Sequence, residues 1–352
     1  MNIGITGTGS YIPTIISANE DFARHKFLNR DGSEIPYSNS QIIEKFEAIT
    51  GIGQRRYAKK EFNTSDLGYF AAIKAIEDAG LQKESLDRII FAHNFGDITY
   101  GKTQADTVPS LATRVKHRLG IANPACVAYD LLFGCPGWIE GIIQALALLR
   151  SHMAEKCLVI GAETLSRVID ENDRDSMIYS DGAGACILEA GYDTKGFLGH
   201  SSATYAKEEA YYLYNGETYD KSASDTTQYI KMYGRKIYEF AITYVPRAMK
   251  ACLDQSGIPI ESVKKVFLHQ ANGKMDEAII NRFYELYGLQ CPDGIMPMNI
   301  HTMGNSSVAT IPTLFDMVRK GQIDNQEVNK GDVVIFASVG AGMNINALVY
   351  QI

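Results

Sequence analysis

Residues 75–91 read AIEDAGLQKESLDRIIF and residues 252–268 read CLDQSGIPIESVKKVFL; the two stretches align without a gap, 177 residues apart (75 to 252) in a chain of 352. Gly80 coincides with Gly257, Glu84 with Glu261 and Ser85 with Ser262. Other pairs keep their character: Leu81 with Ile258, Arg88 with Lys265, Ile89 with Val266. In each copy, apolar residues at helical spacing stop at a glycine suited to a left-handed cap, a short turn follows, and a β-branched run predicts a strand. CLVIGAE from Cys157 and VVIFASVG from Val333 obey nearly the same offset. Short apolar runs alternating with long helical patterns suit parallel strands buried on both faces. The spacing therefore predicts two related α/β halves, residues 1–191 and 192–352, packed together. Residues 192–229, rich in Tyr, Ser, Thr and Asp without a clear period, read as an irregular excursion between them.

Composition narrows the functional classes. With 45% hydrophobic and 21% charged residues the chain can bury a large core, which excludes disorder and a fibrous repeat. A formal charge of -7, with no basic run, argues against a nucleic-acid partner. The first basic residue is Arg24, and no apolar run approaches the roughly 20 residues of a membrane span. The expectation is a soluble, cytoplasmic protein that engages no membrane. Cys126, Cys135, Cys157, Cys186, Cys252 and Cys291 lie far apart, without C-x-x-C or Cys/His pairs, so reduced thiols are expected rather than a zinc site or a disulfide framework.

The sharpest local signal is LLFGCPGWIEGIIQALALLR, residues 131–150. Pro136 suits the first position of a helix whose Ile139, Ile142, Ile143, Leu146 and Leu149 recur at three- and four-residue steps. Cys135 then falls at the cap, where the helix dipole and free N–H groups favour a thiolate. Taken alone, a cysteine is more often a small buried hydrophobe, but Gly134, Pro136 and Gly137 leave room for a substrate beside the backbone. A hydrolase elbow fails, because Phe133 stands where a glycine is needed. VFLHQAN ends in polar groups where a buried strand emerges, and His269 is the natural partner for Cys135. HTMGNSSVATIP, from His301, reads as a loop with a helix cap. SVGAGMN, from Ser338, is a glycine turn able either to join two strands or to aim N–H groups at an oxyanion.

In this order the segments resemble the β-ketoacyl-acyl carrier protein synthase III family, condensing enzymes of the thiolase superfamily. The resemblance runs through IGITGTGSYIP at the start, T-G-I at Thr50–Ile52, the cysteine helix, YSDGAGA from Tyr179, MYGRKIYEFA from Met232, HQAN from His269, GNSS from Gly304 and GAGM from Gly340. It implies a five-layered thiolase-like α/β fold of two duplicated halves and a homodimer. It also implies Cys135, His269 and Asn305 as the catalytic triad, with the N–H groups of Cys135 and Ala341 as oxyanion hole. The implied reaction is a decarboxylative Claisen condensation: an acyl-CoA or acyl-carrier thioester acylates Cys135, and the enolate of a malonyl-carrier thioester attacks it. No metal or redox cofactor is implied.

Departures from the family pattern define the alternatives. Ser338 replaces the second cysteine of thiolases, which disfavours thiolysis. No Glu lies between Ser85 and Ile139 to serve as the base of a non-decarboxylating synthase, although Asp97 or Asp106 could substitute; a non-decarboxylating or acyl-transfer enzyme of secondary metabolism is the alternative function. Lys45 and Ile49 occupy the positions of the Trp and Arg that grip adenine in members using short acyl-CoA. Arg174 matches a CoA-contacting arginine and Lys274 stands where another follows HQAN. Met303 replaces the histidine before G-N. The helix from Lys274 to Glu285 mixes Asp276, Glu277 and Glu285 with Lys274 and Arg282, a weak docking face for an acidic carrier. Outside this superfamily, Gly7 and Gly9 prompt a nicotinamide dehydrogenase, but Ile12 breaks G-x-G-x-x-G. A non-catalytic carrier-binding scaffold also fits the fold.

Overall fold

A computed structural model of the chain describes residues 2–224 and 226–352. The strands are β1 (Ile3–Tyr11), β2 (Ile15–Ala18), β3 (Gln54–Tyr57), β4 (Arg88–His93), β5 (Val127–Leu132), β6 (Lys156–Thr164), β7 (Asp181–Ala190), β8 (Gly196–Thr204), β9 (Leu213–Gly216), β10 (Tyr229–Met232), β11 (Val263–Leu268), β12 (Val333–Gly340) and β13 (Asn344–Gln351). The α-helices are α1 (Asn39–Thr50), α2 (Thr64–Asp78), α3 (Leu111–Leu119), α4 (Gly137–Arg150), α5 (Gly234–Ser256), α6 (Gly273–Glu285), α7 (Ile300–Met303) and α8 (Thr310–Arg319).

The internal repeat is present in the strand register. Ile89 of β4 faces Leu158 of β6 in parallel, and their counterparts Val266 and Ile335 face each other in β11 and β12. Gly80 and Gly257 follow α2 and α5 with φ of 60° and 70°, the left-handed conformation that costs glycine nothing. Nine strands form one sheet in the order β11-β12-β13-β8-β1-β7-β6-β4-β5. One half reads outward from β1 and the other from β8, and the seam between them is a single parallel pair, Ile3 with Gly196. A Cβ at Gly196 would lie 1.8 Å from the Ile3 carbonyl oxygen, so only glycine lets the halves meet there. We propose residues 1–191 and 192–352 as the two units, since the division falls between β7 and β8.

Alternation along each strand builds the layers. Ile89 and Phe91 pack with Leu67, Ala71, Leu111 and Val115 of α2 and α3, while Ile90 turns to the other face with Ile139 and Ile142 of α4. In the second half Ile335 packs with Val245, Met249, Ile279 and Phe283 of α5 and α6, while Phe336 meets Trp138, Leu314 and Phe315 of α4 and α8. The result is five layers, with α4 and α8 as the filling between the two half-sheets. The two helices that share this layer bring the cysteine loop and the Asn305 loop together.

The repeated apolar runs are parallel strands as expected, β4 pairing with β5 and β6, and β11 with β12, while the sheet as a whole is mixed, because β7 and β13 run antiparallel to their neighbours. After β12 the chain turns back within three residues to form β13, and that return sets the direction. One expectation is corrected here. Residues 196–204, read as part of an irregular excursion, are strand β8 beside the seam. Its polar run GHSSAT alternates half-buried and exposed positions, so it lacks the apolar density that marks its neighbours.

Candidate active site

Cys135 lies in the turn between β5 and α4, with Pro136 as the helix cap and Gly137 as its first residue. Proline is thus one position further out than expected, and Cys135 stands just outside the helix. Gly137 N–H closes the turn onto Gly134 O at 2.7 Å. Two glycines bring this loop against the turn after β12. A Cβ on Gly134 would lie 2.6 Å from Ala341 N, and one on Gly340 would lie 2.5 Å from Cys135 N. Any side chain at either position would force apart the two backbone N–H groups of Cys135 and Ala341.

HQAN divides its labour. His269 leaves the end of β11 with its N–H on Ala337 O at 2.9 Å. The fully buried Gln270 accepts from the N–H groups of Asn299 and Ile300 at 3.0 Å each and donates to Pro297 O at 2.8 Å. It thereby ties the His269 loop to the segment leading into Asn305. Asn272 Oδ1 caps α6 by accepting from Met275 N–H at 3.1 Å. Asn305 is held by two backbone bonds, its N–H on Ile178 O at 3.0 Å and its carbonyl accepting from Ser180 N–H at 2.8 Å. Its side-chain oxygen accepts from Ser307 N–H at 2.8 Å, which leaves the amide NH₂ as a donor. Gly304, at φ 61°, comes so close to Arg55 and Ser180 that a side chain would not fit.

Cys135, His269, Asn305, Gly340 and Ala341 line one cavity of 650 Å³, a size suited to a small-molecule substrate. Its walls are largely apolar, including Phe46, Phe95, Leu165, Ile230, Ile237 and Met343. Enclosure sets the electrostatics. Burial pushes the Cys135 thiol up to about 11, with a Ser307 hydrogen bond opposing and the Glu163 charge adding to the rise. The thiolate expected from the helix dipole is therefore not the resting form: desolvation outweighs a dipole whose end is one residue removed. Burial also takes His269 down to about 4, so its imidazole is neutral, and its Nδ1 is buried without a hydrogen-bond partner.

Lys45, Ile49 and Arg174 line the same cavity, whereas Lys274 is exposed outside it. An aromatic ring does stand beside position 45: Tyr37, 56% exposed, lines the cavity with Lys45 Nζ 5.8 Å from its ring centre. Asp97 is buried against Ser65 and Arg114, and Asp106 also pairs with Arg114; neither lines the cavity, so neither serves as a base for Cys135. Asp276 is fully buried and drops out of the proposed docking face on α6. Gly7 and Gly9 cradle no phosphate; Cβ atoms there would lie 2.4 and 2.3 Å from the Ala75 and Ala71 carbonyl oxygens of α2. They are close-packing contacts between strand and helix. Among the described residues no group of His, Cys, Asp and Glu could hold a metal ion, and no helix is long and apolar enough to cross a membrane.

Sequence reasoning missed Glu163, Asn94 and the role of Ser307. Glu163 is 1% exposed at the end of β6 and accepts from Asn94, and Ser307 donates to Cys135 Sγ at 3.3 Å. A charged residue closing the apolar run CLVIGAE was the available signal.

The five layers and a cysteine set against a glycine turn define a thiolase-fold acyltransferase of the condensing type. Residues 129–206 match the 3-oxoacyl-[acyl-carrier-protein (ACP)] synthase III model and residues 253–352 match the C-terminal model of the same enzyme. The chain is similar to the β-ketoacyl-[acyl-carrier-protein] synthase III of Erythrobacter litoralis, 32% identical with 97% of each chain covered. That of Oceanobacillus iheyensis is 31% identical, with 100% of this chain and 99% of the relative covered. Among solved structures, the synthase III of Thermus thermophilus superposes with a TM-score of 0.81 at 30% identity, covering 99% of each chain. The chain belongs to the β-ketoacyl-acyl carrier protein synthase III family.

Proposed function

We propose that the chain joins an acyl thioester primer to a malonyl-carrier thioester with loss of carbon dioxide, through an acyl group held on Cys135. The observation that carries this reading is the convergence of Cys135, His269 and Asn305 on one cavity, beside two N–H groups brought together by Gly134 and Gly340. Cys135 sulfur attacks the primer carbonyl, the N–H groups of Cys135 and Ala341 hold the oxyanion, and the departing thiol carries away the proton. The malonyl thioester then loses carbon dioxide. His269, neutral and able to donate an N–H, and the Asn305 amide stabilise the enolate oxygen, and the enolate carbon attacks the acyl group to give a β-ketoacyl product and expel the Cys135 thiolate, which takes a proton from solvent to return to the thiol.

The same reading takes no metal or redox cofactor and places the protein in the cytoplasm as a homodimer, using an acyl-CoA or acyl-carrier primer. Arg174 at the cavity wall suits a phosphate of the carrier arm, and Lys274, outside it, is left to the carrier surface. A cavity of 650 Å³ with largely apolar walls favours a primer longer than acetyl. The test is product formation from acyl and malonyl thioesters by the wild type and Cys135→Ser: the wild type yields a β-ketoacyl product and carbon dioxide in equal amounts, and the folded variant yields no product. A Cys135→Ser protein that condenses at the wild-type rate overturns the reading.

A further inference from the structure

Behind Cys135 lies a run of side chains that the condensation steps leave unused. Glu163 Oε1 accepts from the Asn94 backbone N–H at 2.7 Å and from the Asn94 side-chain Nδ2. The same Nδ2 donates to Ser307 Oγ at 3.0 Å, and the Ser307 hydroxyl donates to Cys135 Sγ at 3.3 Å. Each link fixes the sense of the next. The Nδ2 of Asn94, not its carbonyl, faces Glu163 and Ser307, the sense that an ionised carboxylate, which only accepts, enforces. Ser307 Oγ, already accepting from Asn94, has its own hydrogen directed at sulfur. With the Asn94 amide reversed, its carbonyl would draw that hydrogen away from Cys135. Ser307 holds this place at φ 53°, a left-handed conformation uncommon for a residue with a side chain.

We propose that Glu163 is a positioning residue for the nucleophile: through Asn94 it commits the Ser307 hydroxyl to donate to the Cys135 sulfur, which favours the thiolate over the thiol. This rests on Cys135 being the acylated residue. The charged surroundings keep the relay separable from simple electrostatics. His93 of β4 and Asp181 of β7 act on Glu163 in opposite directions, and Tyr179 and the neutral His269 share the cavity with Cys135. The Glu163 charge by itself acts on Cys135 against the thiolate. Loss of charge and loss of the relay therefore move the thiol in opposite directions.

The experiment follows alkylation of Cys135 by iodoacetamide as a function of pH, by mass spectrometry of the Cys135 peptide in the full-length protein. Ser307→Ala and Glu163→Leu both move the profile to higher pH, with alkylation about tenfold slower at neutral pH, the size of one hydrogen bond to a charged acceptor. Glu163→Gln keeps an acceptor for Asn94 without the charge that opposes the thiolate, so its profile does not move to higher pH but lies at or below that of the wild type. Glu163→Leu combined with Ser307→Ala reacts no more slowly than Ser307→Ala alone, because both cut one chain. Should Glu163→Leu not fold, Asn94→Ala cuts the same chain at the cavity wall and carries the same expectation. A wild-type profile in Glu163→Leu or Asn94→Ala, or losses that add in the double variant, overturns the relay alone. A wild-type protein alkylated at other cysteines but not at Cys135 overturns the nucleophile assignment and the relay with it.

Discussion

In the proposed mechanism Cys135, whose thiol burial holds above its ordinary range, gives its proton to the departing thiol of a substrate whose carbonyl the two N–H groups grip. His269 and Asn305 are assigned to the later, malonyl step. His269→Ala and Asn305→Ala are expected to lose malonyl decarboxylation more severely than acylation of Cys135, by about 10² to 10³ for one donor. The two half-reactions measured separately check this, with equal losses counting against the division of roles. Gly340→Ala tests the other pair. A methyl group 2.5 Å from Cys135 N has to displace the loop, so acylation falls by a similar factor of about 10², read as the rate of adduct formation with a melting curve as control. Cys135 and His269 could be singled out because each sits at a punctuated place, before a proline-led helix and at the end of an apolar strand, whereas Asn305, in a stretch that reads as a capped loop, was named only by the family resemblance; all three line the one cavity. Glu163, Asn94 and Ser307 were not legible, since their contacts to each other and to Cys135 join residues 69, 213 and 172 apart. No local pattern records such separations.

Strands and helices repeat the same lesson at their own scale. The gapless repeat at residues 75–91 and 252–268 anticipated two like halves, and the register repeats accordingly: Ile89 faces Leu158 as Val266 faces Ile335. The direction of β7 and β13 was hidden, because apolar runs buried on both faces look alike whichever way they run. The glycines of β1 separate two fates for one motif. Gly7→Ala or Gly9→Ala would drive a methyl group into the backbone of α2, and overpacking of this kind costs roughly 1 to 3 kcal/mol or more. Denaturant unfolding is expected to show that loss in both variants. Unchanged stability would mean that strand and helix are not in contact there.

The whole molecule reads out through its cavity and its buried acids. Steady-state comparison of acetyl, hexanoyl and octanoyl primers on CoA and on carrier is expected to favour the longer chains, at about 0.8 kcal/mol for each methylene buried; acetyl-CoA as best substrate contradicts it. The preference is assigned to the apolar walls, Phe46, Phe95, Leu165 and Ile237 among them. Glu163 gives the fold a pH dependence. Burial raises it from 4.5 to about 7, so the proton it binds stabilises the folded chain fully below its ordinary range, and that contribution is lost as pH rises through about 7. Glu163→Gln removes this term: the melting temperature of the variant relative to wild type should climb as pH rises from the acid side through neutrality, and a constant difference contradicts it. The central claim, that an acyl group passes through Cys135, is tested most directly by mass spectrometry of the protein after incubation with an acyl-CoA or acyl-carrier thioester, before and after a malonyl-carrier thioester is added. An adduct confined to the Cys135 peptide and discharged by the malonyl thioester is the predicted result; an adduct on another cysteine, or one that the malonyl thioester leaves in place, contradicts it.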